Sequence, residues 1–517
     1  MKRIILAVFV VALAFLLVGC KKSAKERPQG FVYLEDGVFK IDGEKFFPLM
    51  INYKIDIRKI GDDVVVSPAD YYEHVGVYES NTKEEILEQF STHIELMKEM
   101  GFNTVRACVD VIRNDEGGKY YETPEGKVYL QGHYDMIIDG ISEMLDVAVR
   151  HDMKVMLLLK PAMDKELEDF TIALFKRFAD NQTIFAYDMM NEPLYFDTEP
   201  QRKKEDAVAI VKKWNKMVRK YAPHHLFTIG FAEPIEVFEW DPSILPVDFV
   251  EIHTYHPLRI PSEIWWYSHY VGKPWMIGET SLPVDNDSIS YDLQKYFVEQ
   301  VCQYVIDCGG IGFGWWEFQD YINPGMSFEA NYSGLLNHDE VTVTKSGREI
   351  VGSMKPAAYE FVRLGKLQPK TPVRPDNYFN MLGYENYVIT GRIMCGKKPV
   401  EGAVIRGWNQ WWGVGMNTYS DENGRFMLYS NDSNVHFEIS APGYSKVKFD
   451  KDDLQYSSVD GGDCDFSTLQ NVDLEYHKIS YFPFLANDTM LFEFKPGMFD
   501  KAKFKADLGD IELKKIR

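Results

Sequence analysis

The chain has 517 residues, with 57 Lys and Arg against 78 Asp and Glu, and a formal net charge of −21. Hydrophobic residues at 45% and charged residues at 26% exclude low-complexity disorder, collagen and coiled coil, and the acidic balance excludes nucleic acid as the main partner, because a phosphate backbone needs a basic surface. At roughly 150 residues per domain the length implies several domains, although one α/β barrel absorbs about 250 residues by itself.

In chain order, Lys2 and Arg3 precede an apolar run from Ile4 to Val18, then Gly19, Cys20, Lys21 and Lys22. A basic start, a short apolar stretch and a small residue at its end make a secretory signal. The run is shorter than the roughly 20 apolar residues of a spanning helix. Leu17-Val18-Gly19-Cys20 resembles the bacterial lipobox. That resemblance implies cleavage before Cys20, acylation of Cys20 and a lipid-anchored place in the bacterial cell envelope. Residues 1–19 are then the signal peptide and 20–29 a polar tether to the membrane, with about 0.8 kcal/mol gained per buried CH₂ of the acyl chains. The competing reading is an ordinary signal with an incidental cysteine. The other cysteines are Cys108, Cys302, Cys308, Cys395 and Cys464. Their odd number and spacing do not form a disulfide framework, and no C-x-x-C pair suggests zinc. Cys395–Cys464 is the single pair considered as a bridge.

Val32, Leu34, Val38 and Ile41 around Asp36-Gly37 and Asp42-Gly43 predict a short hairpin over Gly30–Phe47. Eight buried strands then follow: Pro48–Asn52, Asn103–Val109, Lys154–Lys160, Ile184–Met190, Leu226–Gly230, Asp248–Thr254, Trp275–Glu279 and Ile311–Trp316. Amphipathic helices separate most of them. The clearest begins at the capping box Thr82-x-x-Glu85, carries Ile86, Phe90, Ile94 and Met97 at helical spacing, and ends at Gly101. Continuous apolar strands alternating with helices predict parallel β with helices outside. Eight units over residues 30–365 predict a (β/α)₈ TIM barrel in the α/β class. The rival, a doubly wound open sheet, lacks a Gly-rich phosphate loop after its first strand. Residues 366–385, with Pro369, Pro372 and Pro375, read as a linker. Residues 386–517 carry short β runs with Asn423-Gly424 and Pro442-Gly443 turns, which predict an all-β sandwich. Thr390-Gly391-Arg392-Ile393, Gly402-Ala403-Val404-Ile405, Asp421-Glu422-Asn423-Gly424-Arg425-Phe426 and Ala441-Pro442-Gly443-Tyr444 resemble the carboxypeptidase-regulatory-like module. This likeness implies a fold and no chemistry.

Functional residues of a (β/α)₈ barrel sit at the C-terminal ends of its strands. The fourth strand ends Asn191-Glu192-Pro193 and the seventh ends Gly278-Glu279-Thr280. Two glutamates facing each other across the mouth are the pair that glycoside hydrolysis needs, one to protonate the leaving oxygen and one to attack or to activate water. The acid needs a raised pKa, and the nucleophile needs hydrogen-bond donors that keep it ionised. Their bland alternative is a pair of rim salt-bridge partners.

With Asn191-Glu192-Pro193, Glu279, Arg106 in Thr104-Val105-Arg106, His253-Thr254-Tyr255 and Trp315-Trp316, the chain over Gly30 to about Gly365 resembles glycoside hydrolase family 5 and its retaining clan A relatives. By that resemblance Glu192 is the acid/base and Glu279 the nucleophile. Asn191 binds the sugar 2-hydroxyl, Arg106 and Tyr255 bond Glu279, His253 contacts the sugar or Glu192, and Trp315 or Trp316 stacks on the sugar, with Trp315 favoured. No cofactor and no metal is implied. The function expected is a retaining β-glycosidase acting on a carbohydrate such as β-glucan, β-mannan or a related hemicellulose. Its rivals are an inactive carbohydrate-binding lipoprotein and a transglycosylase using the same residues.

The chain departs from the family pattern at Lys160, where many members place a histidine or another polar residue. Lys160 could reach substrate or pair with an acidic neighbour. Long loops are expected over Tyr53–Glu79 and Glu317–Lys355, both shaping subsites. Trp408, Trp411 and Trp412 form either a sugar platform or a surface that docks the sandwich on the barrel, with docking or core packing favoured. Asp460, Asp463 and Asp465 read as a solvated turn over a Ca²⁺ loop.

Overall fold

The computed structural model describes residues 28–69, 72, 82–109, 113–115, 118–123, 126–160, 163–199, 201–255, 257, 259–321, 323, 325–375, 387–408, 415–430, 435–459 and 503–516. Cys20, Trp411, Trp412, Asp460, Cys464, Asp463 and Asp465 lie outside the described residues, as do the signal segment and most of the tether.

Eight parallel strands form the centre of the larger unit. They are β1 (Leu49–Ile60), β2 (Thr104–Val109), β3 (Lys154–Leu158), β4 (Ile184–Asn191), β5 (Leu226–Phe231), β6 (Val250–His253), β7 (Trp275–Glu279) and β8 (Phe313–Trp315). Each pairs with its neighbour in order, and β8 closes on β1 with Phe313, Gly314 and Trp315 opposite Leu49, Met50 and Ile51. The result is a closed (β/α)₈ barrel, as the alternation predicts. Its helices include α1 (Lys83–Met100), α2 (Tyr134–Arg150), α3 (Lys165–Arg177), the four-residue α4 (Pro193–Phe196), α5 (Lys204–Tyr221), α6 (Ile260–Tyr270) and α7 (Tyr291–Asp307). In α1 the Thr82 hydroxyl accepts from Glu85 N–H at 3.2 Å, and the Glu85 carboxylate accepts from Thr82 N–H at 3.0 Å. Gly101 ends the helix at φ 106°, a left-handed conformation that only glycine adopts without strain.

The predicted hairpin is present as strands Val32–Glu35 and Val38–Ile41. It plugs the N-terminal end of the barrel. Phe39 meets Phe185 and Phe249 edge-on, with ring centroids 4.9 and 5.0 Å away. With Met50, Met156 and Met276 these rings form an apolar floor, so the opposite end is the open one.

Two expected loops are structured instead. The chain after Asn52 continues as strand to Ile60 and returns antiparallel as Asp63–Pro68. The reason is a period-two pattern: Tyr53, Ile55 and Ile57 are buried while Lys54, Asp56 and Arg58 are not. Helix α2 packs so tightly on this ribbon that a Cβ on Gly140 would lie 2.7 Å from Val66. After β8, the segment Glu317–Lys355 holds a short helix, Phe328–Tyr332, and a hairpin, Val341–Val343 with Glu349–Val351. Buried Lys355 anchors it, bonding Asp320 at 2.7 Å and Tyr332 O at 3.1 Å.

Beyond the barrel lie two further sheets. The first joins β9 (Tyr387–Cys395), β12 (Arg425–Ser430) and β14 (Phe504–Glu512). The second joins β10 (Val404–Trp408), β11 (Met416–Tyr419) and β13 (His436–Ser440). Ile389, Phe426 and Ile511 from the first share one apolar cluster with Ile405, Met416 and Phe437 from the second. These sheets dock on the barrel through barrel residues. Lys204 bonds Asp241 at 2.9 Å and the Tyr444 carbonyl at 2.7 Å, and the Trp266 indole donates to Gly402 O at 2.8 Å. Trp408 stacks on His436 within its own sheet, with centroids 5.9 Å apart. Among the described residues no helix is long and apolar enough to cross a membrane.

Candidate active site

At the open end, Arg106 of β2 is completely buried and holds several strands together. Its Nη2 donates to Asp188 Oδ2 at 2.6 Å and to Asn191 Oδ1 at 2.9 Å. Its Nη1 donates to Asn52 Oδ1 at 2.8 Å and to Glu279 Oε1. Its Nε lies 3.0 Å from Glu251 Oε1. A guanidinium presents five donors in a rigid fork and never loses its charge in proteins, which is why one residue can compensate three buried carboxylates. Asn52 completes the closure by donating to Gly278 O at 2.9 Å and Trp315 O at 3.0 Å.

Glu192 follows β4 in a left-handed conformation, φ 39°. That backbone costs a non-glycine residue about 1–3 kcal/mol and persists where its surroundings fix it. Here the Glu192 N–H donates to Gly230 O at 2.8 Å and Pro193 opens α4. Glu236 clamps the same turn, its carboxylate accepting from Leu194 N–H at 3.2 Å and Ala232 N–H at 3.1 Å. The Glu192 carboxylate meets His253 Nδ1 at 2.9 Å. Glu279 ends β7, and its Oε2 accepts from the Tyr255 hydroxyl. Glu192, His253 and Glu279 each bring one ligating atom within 4.8 Å of the others. That is also the size of a metal donor set. However, Arg106 and Tyr255 already donate to the two oxygens of Glu279, so its lone pairs face a cation and a hydroxyl proton.

Burial alone would raise the Glu279 pKa, but the charges of His253 and Arg106 and the hydrogen bonds from Tyr255 and Arg106 outweigh it and hold it below the ordinary range. The carboxylate is therefore kept ionised. His253 shows the reverse balance. Burial would lower its pKa, yet Glu279, Glu192 and Glu251 push it up to about 10. Asp188 rises to about 7, from burial first and Glu251 second.

A stability prediction follows from His253. Its folded pKa lies above its ordinary value of 6.5. Its stabilisation is therefore fully present below about pH 6.5 and is lost as pH rises towards about 10. Wild-type Tm should decline across that window, and His253→Asn should remove this part of the decline. Thermal melts at pH 6 to 10 check it, and identical slopes for both proteins would count against it.

Residues 72–321 match the family described as Cellulase (glycosyl hydrolase family 5). This match supports a glycoside hydrolase. Among solved structures, the endo-1,4-β-mannanase from Rhizomucor miehei is similar at 14% identity, over 58% of this chain and 93% of that one, with a TM-score of 0.41. The exo-β-1,4-mannosidase from Opitutaceae bacterium strain TAV5 is similar at 16% identity, over 65% of this chain and 62% of that one, with a TM-score of 0.44. A Bacteroides uniformis β-glucuronidase is similar at 13% identity, over 82% of this chain and 47% of that one, with a TM-score of 0.42. No curated protein matches the chain.

In this glycoside hydrolase the structure brings Arg106, Asn191, Glu192, His253, Tyr255 and Glu279 into one network. It does not bring Trp315 there. Trp315 has no exposed surface, donates its indole N–H to Ser333 O at 3.2 Å and packs against Phe361, with centroids 5.9 Å apart. It points into the helix layer, so the preference for Trp315 as the stacking residue is corrected. Strand alternation turns Trp316 the other way. Trp316 is partly exposed, with Lys54 Nζ 5.4 Å from its ring centroid. Lys160 lies over the Phe196 ring at 5.7 Å.

Sequence reasoning missed Asn52, Asp188 and Glu251, the other half of the network. Their signal was available: each is a polar residue flanked by apolar neighbours in its strand and buried, which costs free energy unless partnered. Gly230 and Gly278 were missed as well. A Cβ on Gly230 would lie 2.7 Å from the His253 ring, and one on Gly278 would lie 2.1 Å from Glu251 Oε1. These glycines leave room for the charged cluster.

Proposed function

We propose that this glycoside hydrolase is a retaining β-glycosidase that cleaves a β-linked polysaccharide or oligosaccharide of the β-glucan, β-mannan or hemicellulose type. The observation that carries the reading is the approach of a Glu192 oxygen to within 4.8 Å of a Glu279 oxygen. Retaining enzymes hold their carboxyl groups about 5–5.5 Å apart, whereas inverting ones leave about 6.5–9.5 Å for a water.

In this mechanism Glu279, held ionised by Arg106 and Tyr255, attacks the anomeric carbon. The bond to the leaving oxygen breaks, its electron pair stays on that oxygen, and Glu192 supplies the proton. Glu192 then takes a proton from water, the hydroxide attacks the same carbon, and Glu279 is released. His253 holds Glu192 in place. Arg106 fixes the oxygen of the Asn191 amide, which turns its NH₂ outward, towards a sugar 2-hydroxyl. Trp316 offers the stacking face on the glycone side. Tyr195 and Phe196, each about half exposed just past Glu192, flank the leaving-group side and favour a sugar chain there.

The Cys20 lipid anchor and a bacterial cell-envelope location complete this reading, and rest on the Leu17–Cys20 pattern. The C-terminal sheets fit an accessory module of the carboxypeptidase-regulatory-like kind. Incubation with a panel of 2-deoxy-2-fluoro glycosides tests the proposal. The expected result is a covalent adduct on the peptide carrying Glu279, together with net retention in the product by NMR. Inversion, or a label elsewhere, would overturn it.

A further inference from the structure

A second cleft, of about 840 Å³ and lined by none of the residues of the Glu192–Glu279 network, opens where helix α6 faces the β9–β12–β14 sheet. The volume lies within the range of small-molecule sites, about 300–1,000 Å³, and the junction of two packed units is a common place for one. On the barrel side the lining includes Trp265 and Tyr270, and Tyr419 adds a third ring. On the sheet side it includes Arg392, Arg425 and Lys505.

The sheet register makes this charge arrangement unusual. Arg392 of β9 lies directly opposite Arg425 of β12. Like charges facing each other across a strand pair are destabilising. Arg392 Nε donates to the Asn423 carbonyl at 3.1 Å, and among the described residues neither guanidinium nor the Lys505 ammonium has an ion-pair partner. Three carboxylates share the lining: Asp421 Oδ1 accepts from the backbone of Asn423 and Arg425 at 2.9 and 2.8 Å, Asp507 Oδ1 accepts from Gly509 N–H at 3.2 Å, and Asp510 of β14 lies opposite Arg392 in the parallel register. Arg392, Arg425 and Lys505 thus share this groove with Asp421, Asp507 and Asp510, and among the described residues none of the three cations closes an ion pair with them.

We propose that this cleft is a second, non-catalytic saccharide site that takes a carboxylate-bearing sugar, its carboxylate between Arg392 and Arg425 and its rings against the α6 aromatics. The two guanidiniums match a carboxylate through paired N–H donors. Aromatic faces supply the flat apolar contact that sugar C–H faces need. The site would hold a uronate-substituted polymer beside the barrel while the catalytic mouth works on the same chain, raising the local concentration of cleavable bonds.

Hydrogen–deuterium exchange of the full chain carrying Glu192→Gln, which prevents turnover, tests this. The probes are uronate-substituted xylo-oligosaccharides, neutral xylo-oligosaccharides of equal length, and free glucuronate. The expected result is slowed exchange in peptides covering 262–270, 389–395, 418–428 and 503–510 with the acidic oligosaccharides. Binding read at these peptides should weaken about tenfold in Arg392→Gln/Arg425→Gln, and also in high salt. Trp265→Ala, which keeps both arginines, should weaken it too. Peptides covering 253–255 and 275–279 report the catalytic mouth separately. Equal protection by neutral oligosaccharides, no protection at the cleft peptides with any probe, or undiminished binding in the double variant would each overturn the proposal, whatever the mouth peptides do.

Discussion

Glu279→Gln is expected to reduce kcat by at least about 10⁴-fold on every substrate, because in the proposed mechanism Glu279 forms the covalent intermediate. Glu192→Gln should behave differently. With a natural sugar leaving group the loss should be of similar size, since the departing oxygen needs a proton. With a leaving group that departs without protonation, such as a dinitrophenolate, the first step should survive. The second step then becomes limiting, so kcat and KM should fall together and a burst of phenolate should precede the slow steady state. The contrast comes from the observed contacts. Glu279 is surrounded by Arg106 and Tyr255, donors that favour an anion, and Glu192 meets the side chain of His253. Pre-steady-state kinetics on the two variants check it. A burst in Glu279→Gln and none in Glu192→Gln would reverse the roles.

Arg106→Met should be the most destabilising single change in the barrel mouth. Asp188, Glu251 and Glu279 would lose their common cation, and their side chains are between 0% and 6% exposed. Removing one partner of a buried charge cluster costs about 3–5 kcal/mol, since the remaining charges stay desolvated. At roughly 2–4 °C per kcal/mol for a domain of this size, Tm should fall by on the order of 10 °C. The protein that remains folded should also show a shifted acid limb in kcat/KM. Loss of the positive charge and of a donated hydrogen bond raises the Glu279 pKa, so activity should fail at a higher pH than in the wild type. Arg106→Lys should restore part of the stability and less of the pH profile, because an ammonium cannot reach all three carboxylates as a fork does. Differential scanning calorimetry and a pH–rate profile separate the two effects. An unmoved acid limb would mean that Arg106 supports the fold without setting the ionisation of Glu279.

Tyr53–Glu79 reads as a long loop because it is rich in Tyr and Asp, yet its Tyr53–Pro68 part forms a strand ribbon. Alternation at period two is a strand signal as well, and here helix α2 covers one face of the ribbon. Trp315 was preferred over Trp316 because a dipeptide gives no indication of which side faces the mouth. The phase of β8 is set by its register on β1, a contact between residues more than 260 positions apart. Asp188 and Glu251 passed unnoticed because a charge within an apolar strand reads as a blemish until its partner is known. Gly230 and Gly278 carry no chemistry to read, and their function is the volume they leave empty.

What the amino-acid order determined by itself was local: strand and helix alternation, helix caps, the N-terminal hairpin, and two glutamates at strand ends with their candidate helpers. Those follow from periodicity and residue chemistry over a few neighbours. Which tryptophan faces the mouth, how one guanidinium serves three carboxylates, and where α6 meets the β9–β12–β14 sheet were decided only by tertiary structure. Each depends on distances between segments remote in the chain, and burial turns those distances into energy: the same Asp, Glu, His and Arg that would titrate ordinarily in water are desolvated together and must settle one another's charge.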